Sequence, residues 1–232
     1  KMAIAYFQTL SVQANSDNEV GAALRQDFCS NVAPILCGRT EVQGVSVFSP
    51  AQAIDPYTDD GPPPELVFQI TVADIAALDA ILTDEDVRKL LLPPKGGSAV
   101  AEVCEIIAFD IEGIAEPHSR TAPLSFNIRY YAPVEDEKIF VDFYLNNHPP
   151  ILAELPGIRN VFCYVPIADY ANAPVALSNC ILGNEVVFDT IEALNASMET
   201  DVRHRLREDY NAFPVKAGPN THFAMLREDF KS

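Results

Sequence analysis

Residues 140–160 read FVDFYLNNHPPILAELPGIRN, and a weaker copy of this stretch lies about half a chain earlier. Asn147-His148-Pro149-Pro150-Ile151-Leu152 falls on Asn31-Val32-Ala33-Pro34-Ile35-Leu36. Working outward, Gly44-Val45-Ser46-Val47 falls near residues 157–161, and Val67-Phe68 on Val186-Val187. Ala76-Ala77-Leu78-Asp79-Ala80 falls on Glu192-Ala193-Leu194-Asn195-Ala196, and Asp86-Val87-Arg88 on Asp201-Val202-Arg203. Phe109-Asp110 resembles the late Glu228-Asp229-Phe230. A spacing held over so many segments reads as an internal duplication, and a duplication sets architecture before any single residue does.

Each copy carries the same run of elements. In the first, residues 3–12 read as a strand, 15–19 as a polar turn and 20–36 as a helix. Strands follow at 45–48 and 66–72, a helix within 72–92, and a closing strand from 99 to 111. After a polar, proline-bearing linker at 113–123, the order returns: strand 124–131, helix 135–155, strands 161–165 and 181–188, helix 190–213, closing segment 221–230. A β-α-β-β-α-β unit makes an antiparallel sheet with two helices on one face. Its other face needs a cover. The expectation is an α+β chain of two ferredoxin-like repeats, 1–112 and 124–232 around the linker, whose bare sheet faces meet and close a barrel. The space between the sheets is the natural place for a pocket.

Composition supports a packed domain and narrows the partners. Hydrophobic residues make up 48% of 232, and acidic residues outnumber basic ones 33 to 16, for a net charge of -17. That balance argues against nucleic acid and against an anionic membrane surface, both of which need clustered Lys and Arg. No apolar run approaches the ~20 residues that span a bilayer. The opening residues run straight into a strand pattern without a signal-peptide core, and the five cysteines form no CxxC pair. Free, mostly buried thiols and a cytoplasmic location are the expectation. The chain is expected to be a monomer holding a pseudo-dimeric barrel, or a homodimer of such barrels.

The chemistry centres on His148. Phe140, Tyr144 and His148 are four residues apart, so the imidazole shares a buried stripe. Two prolines follow it, and the helix is expected to end or kink there. A helix C-terminus favours the charged ring and burial opposes it, a balance that suits a general acid or base. The same position suits a structural histidine bonded to a carbonyl. On strand 124–131, Leu124, Phe126, Ile128 and Tyr130 alternate with Ser125, Asn127, Arg129 and Tyr131. The first set is expected under the helices. The second would enter the barrel, where Asn127, Arg129 and Tyr131 could orient a ligand or complete a polar network. Tyr164 and His222 are further candidates to face inward. His204, in the run RHRLRED, reads as solvated, His118 as exposed, and the loop DPYTDDGPPP at 55–64 as solvated and mobile. No metal-ligand cluster, P-loop, GxGxxG or GxSxG motif is present.

FVDFYLNNHPPILAELPGIRN, with its His-x-Pro and Leu-Pro-Gly order, and the later EVVFDTIEALNASMETDVRHRLREDYNAF together resemble the EthD family of dimeric α+β barrel proteins over about residues 124–230. The first half looks like a diverged copy. Members usually build the barrel from two chains, whereas this chain carries both halves. The resemblance implies a cavity and, in relatives, cofactor-free chemistry on aromatic, polyketide-like or lactone substrates, with a histidine of this helix as acid/base. Only His148 carries over, since its counterpart is Val32. The expectation is therefore one site: His148 acting on a small, largely apolar, oxygenated molecule by cyclisation, dehydration, isomerisation or oxygenation, with no cofactor. The alternatives are a non-catalytic ligand-binding barrel and a haem protein with His148 as axial ligand.

Overall fold

A computed structural model describes residues 3–12 and 18–231. The first half runs β1 (Ile4–Ser11), α1 (Asn18–Asp27), a π-helical turn (Phe28–Val32), α2 (Ala33–Cys37), β2 (Val42–Pro50), β3 (Leu66–Val72), α3 (Ile75–Leu82), α4 (Glu85–Leu91) and β4 (Ser98–Phe109). The second runs β5 (Leu124–Tyr131), α5 (Glu137–Leu152), β6 (Asn160–Pro166), β7 (Cys180–Phe188), α6 (Ile191–Met198), α7 (Asp201–Asn211) and β8 (Asn220–Lys231). Most of the turn expected at 15–19 lies outside the described residues.

The strands close into one antiparallel barrel in the order β1-β3-β2-β8-β5-β7-β6-β4. The halves meet where β2 pairs with β8 and β4 with β6, as in Ser46 opposite Asp229 and Ile107 opposite Cys163. Period-two alternation sorts the side chains. Leu124, Phe126, Ile128 and Tyr130 join the core under the second half's helices, as the pattern predicts. A matching core lies under the helices of the first half, and a third apolar cluster, including Phe7, Phe48, Phe162 and Tyr164, fills the barrel.

Caps decide where the helices divide. The single helices read at 72–92 and 190–213 are each two. Asp84 starts α4 by accepting from the Asp86 and Val87 amides, which breaks the run after Leu82. Glu199 ends α6 and Thr200 precedes α7. In the first helical stretch, Pro34 has no amide proton to continue the α register. The Ala33 amide bonds instead to the Phe28 carbonyl, five residues back, as a π turn requires.

The helix carrying His148 does not end at it. α5 continues through Pro149 and Pro150 to Leu152. The prolines remove two amide donors, but the exposed Asn146 carbonyl region can be met by solvent, and the Ala153 amide closes the last turn on the Pro149 carbonyl at 2.9 Å. Burial of Pro149, Leu152 and Leu155 holds the extra turn in place.

The barrel interior is filled with charge as well as hydrocarbon. Glu185, fully buried, accepts from Ser125 at 2.6 Å and from Arg120 at 3.1 Å, and Arg227 lies 3.6 Å away. Tyr164 donates to the same carboxylate at 2.5 Å. Arg120 comes from the linker, so the linker plugs one end of the barrel. Toward the other end Arg129 pairs with Glu102 at 2.8 Å and lies over the Phe7 ring. The pocket expected between the sheets is therefore largely occupied; only about 70 Å³ remains there, lined in part by Asn127, Arg129 and Tyr131.

Candidate functional site

A larger, partly open space lies on the opposite side of β5. It is a cavity of about 350 Å³ between the outer face of β5, β7 and β8 and the helices α5 and α7. The sheet contributes Phe126, Ile128, Tyr130, Asn184 and Val186; α5 contributes His148, and α7 contributes Arg203, Leu206 and Tyr210. Its size is at the lower end of the range for small-molecule sites.

His148 reaches the cavity because α5 presents it one turn beyond Tyr144, whose ring it meets at 4.8 Å between centroids. Its Nδ1 is hydrogen-bonded to Asp209 Oδ2 at 2.7 Å, with both side chains largely buried. The carboxylate accepts, which puts the proton on Nδ1 and leaves Nε2 with its lone pair. Burial depresses the His148 pKa below the ordinary 6.5, and the Asp209 hydrogen bond and charge oppose that shift. Burial wins, so the ring is neutral near pH 7.

The lid comes from the other half. Residues 51–65, between β2 and β3, cross to cover the second half's cavity with Asp55, Tyr57 and Asp60. Much of the segment is exposed, and three of its side chains find partners in the second half. Asp55, 3% exposed, takes a forked pair of bonds from Arg203 Nε and Nη2 at 3.1 and 2.8 Å. The Tyr57 ring lies against the same guanidinium and its hydroxyl bonds to His204. Asp60 accepts from the His222 backbone at 2.8 Å and from its ring at 2.9 Å. The loop is exposed, as the sequence reading has it, and is tied to the second half at three side chains. Asp55→Ala would leave Arg203 buried without its carboxylate, and a loss of about 3 kcal/mol is expected, seen as a lower thermal midpoint. Asp55→Leu with Arg203→Leu should recover most of it. An Asp55→Ala protein melting with wild type would contradict the pinned lid.

The first half shows what became of the matching space. Residues 167–179 cross in the reverse direction, and Ile167, Tyr170, Ala173, Val175 and Leu177 pack into the first core. The helix caps Asp74 and Thr190 correct the pairing of Val67-Phe68 with Val186-Val187: Phe68 and Asn184 each stand six residues ahead of their cap and are counterparts. Where Asn184 bonds to Tyr144, Phe68 stacks on Phe28 at 4.4 Å. Val32 replaces His148. The first half holds a plug, and the second a cavity.

The residues singled out by sequence divide between two sides of one sheet. His148 and His222 share the cavity, although His222 faces the helix side and not the barrel interior. Asn127, Arg129, Tyr131 and Tyr164 face the barrel, and none of them lines this cavity. Sequence reading missed Asp209, Arg203, Asn184 and the lid. A signal for Arg203 was available: Arg203, Leu206 and Tyr210 fall at i, i+3 and i+7, one buried stripe, so the run RHRLRED is not uniformly solvated. Among the described residues no group of three or more His, Cys, Asp or Glu could hold a metal ion, and no helix is long and apolar enough to cross a membrane.

No family model matches the sequence, and no curated protein matches it. Solved structures do. An anthrone oxidase-like protein superimposes with a TM-score of 0.62 at 14% identity, over 99% of this chain and 93% of its own. A proposed monooxygenase of Fusobacterium nucleatum gives 0.59 at 11%, over 100% and 98%. The fold is that of the dimeric α+β barrel proteins. This barrel places both ferredoxin-like halves in one chain, with eight strands shared between them. An EthD family protein of Bacillus halodurans aligns over 44% of this α+β barrel chain and 95% of its own, at 25% identity and a TM-score of 0.37.

Proposed function

We propose that the cavity beneath α5 and α7 binds a small, largely apolar, oxygenated molecule and that His148 acts there as general acid/base, held in its tautomer by Asp209. The observation that carries this reading is the buried His148–Asp209 pair, with His148 on the wall of the cavity. Neutral His148 can take a proton from a hydroxyl or an acidic C–H through Nε2. The resulting imidazolium is stabilised by the carboxylate 2.7 Å from Nδ1 and can return the proton to another atom of the substrate. Such a transfer is the elementary step of an isomerisation, dehydration or cyclisation of an enolisable or phenolic compound. It needs no cofactor.

The residues fit haem poorly. A His–carboxylate pair would serve an axial ligand, but about 350 Å³ is small for a tetrapyrrole, and Asp59 and Asp60 at the rim would oppose its two carboxylates.

The test is an NMR titration of the His148 ring. Its pKa should lie below 6.5, fall further in Asp209→Asn because the carboxylate is what favours the proton, and move when 2,4-dihydroxybenzoate or 1,8-dihydroxyanthrone is added. A value at 6.5 that ignores Asp209→Asn and every compound would end the reading. Compounds that bind and shift His148 without being turned over would leave a binding protein in place of an enzyme.

A further inference from the structure

Of the polar atoms lining the cavity, one is buried and has no partner. Asn184 is 1% exposed, and its Oδ1 accepts no hydrogen bond. Its other end is engaged, since Nδ2 donates to the Tyr144 hydroxyl. The Tyr144 ring meets the Tyr130 ring edge to face, at 5.4 Å between centroids. Tyr130 lines the same cavity. Asn184 Oδ1 is thus the unmet acceptor of the cavity wall.

The fold does not require this arrangement. The first half holds the matching positions with Phe68 and Phe28 and no polar atom. A buried acceptor without a partner lowers stability, so its presence on the cavity wall points to a group that arrives with a ligand. Asn127 Nδ2, Asn160 Oδ1 and Ser197 Oγ also lack partners, but none of them lines this cavity.

We infer that Asn184 is a specificity residue for a ring bearing a hydroxyl, the hydroxyl donating to Asn184 Oδ1. This rests on the cavity being a ligand site, and it narrows the ligand from oxygenated and apolar to one with a hydroxyl donor. A ligand whose hydroxyl is methylated leaves Asn184 unmet, and selection against it follows.

Three probes separate the cases: resorcinol, 3-methoxyphenol and 1,3-dimethoxybenzene, titrated into the intact chain with the His148 and Asn184 resonances as readouts. Wild type should bind 3-methoxyphenol about tenfold or more tighter than the diether, the value of one hydrogen bond. Asn184→Leu should lose that preference while melting at or above the wild-type temperature. Tyr130→Phe should keep their ratio. If 3-methoxyphenol shifts His148 but the diether binds equally, or the preference survives Asn184→Leu, the assignment of Asn184 is overturned and the cavity reading stands. If no probe moves His148 at millimolar concentration, the cavity reading fails and this inference with it. Should Asn184→Leu fail to fold, the wild-type ratio and Tyr130→Phe decide.

Discussion

Glu185→Leu is expected to lower the thermal midpoint by roughly 6–20 °C. The carboxylate is fully buried in the barrel, and its removal leaves Arg120 and Arg227 facing one another with Asp229 as their remaining counter-ion. Breaking a buried ion pair from one side costs roughly 3–5 kcal/mol, and each kcal/mol moves the midpoint of a chain this size by about 2–4 °C. The same carboxylate sets an acid limit. Burial pushes the Glu185 pKa up, but Arg120, then Arg227, with the Ser125 and Tyr164 hydrogen bonds, overcome this and hold it at about 2. A depressed carboxylate contributes its full stability above its unfolded value and loses it as pH falls through the folded one. From 4.5 down to about 2 the loss is roughly 3 kcal/mol. Glu185→Gln, which keeps an acceptor but no charge, should flatten that part of the acid profile. Melting of Glu185→Leu within 2 °C of wild type, with an unchanged acid profile, would show that the network does not hold the barrel.

The second large effect is on turnover. His148→Ala is expected to reduce kcat/KM on any accepted substrate by about 10²–10⁴-fold, the usual weight of a placed general acid/base, or roughly 3–5 kcal/mol of barrier. The wild-type rate should fall on the acid side as the ring is protonated, with its midpoint below 6.5 because burial disfavours the charged form. Asp209→Asn should move that edge lower still while slowing the reaction, a combination a merely structural aspartate would not produce. An unchanged rate in His148→Ala would remove the histidine from the chemistry.

Much of this was readable in the chain, and the misses share one cause. Repeated local pattern gave the element order, the barrel and the faces of β5, since hydrophobic periodicity is a short-range signal. His148 was reached by the same route. What failed was long-range. Asp209 lies 61 positions from His148 and Asp55 lies 148 from Arg203, and no spacing rule joins them. The closed barrel suggests a pocket between the sheets, and the inward polar residues of β5 suit either a ligand or a polar network; a network fills it, Arg129 with Glu102 and Glu185 with Arg120 and Arg227. The run DPYTDDGPPP is exposed, as it reads, but no local pattern shows that its carboxylates meet Arg203 and His222 across the fold.

The crossing segments have a consequence for how such a barrel can specialise. When two identical chains build it, one sequence must serve at both ends of the twofold axis, so whatever closes one chamber closes the other in the same way. Here the two crossings differ. One carries Asp55, Tyr57 and Asp60 over an open chamber; the other carries Ile167, Tyr170 and Val175 into a packed one. Joining the halves releases them from that symmetry, so one side can become scaffold and the other can keep a polar, less stable interior for chemistry.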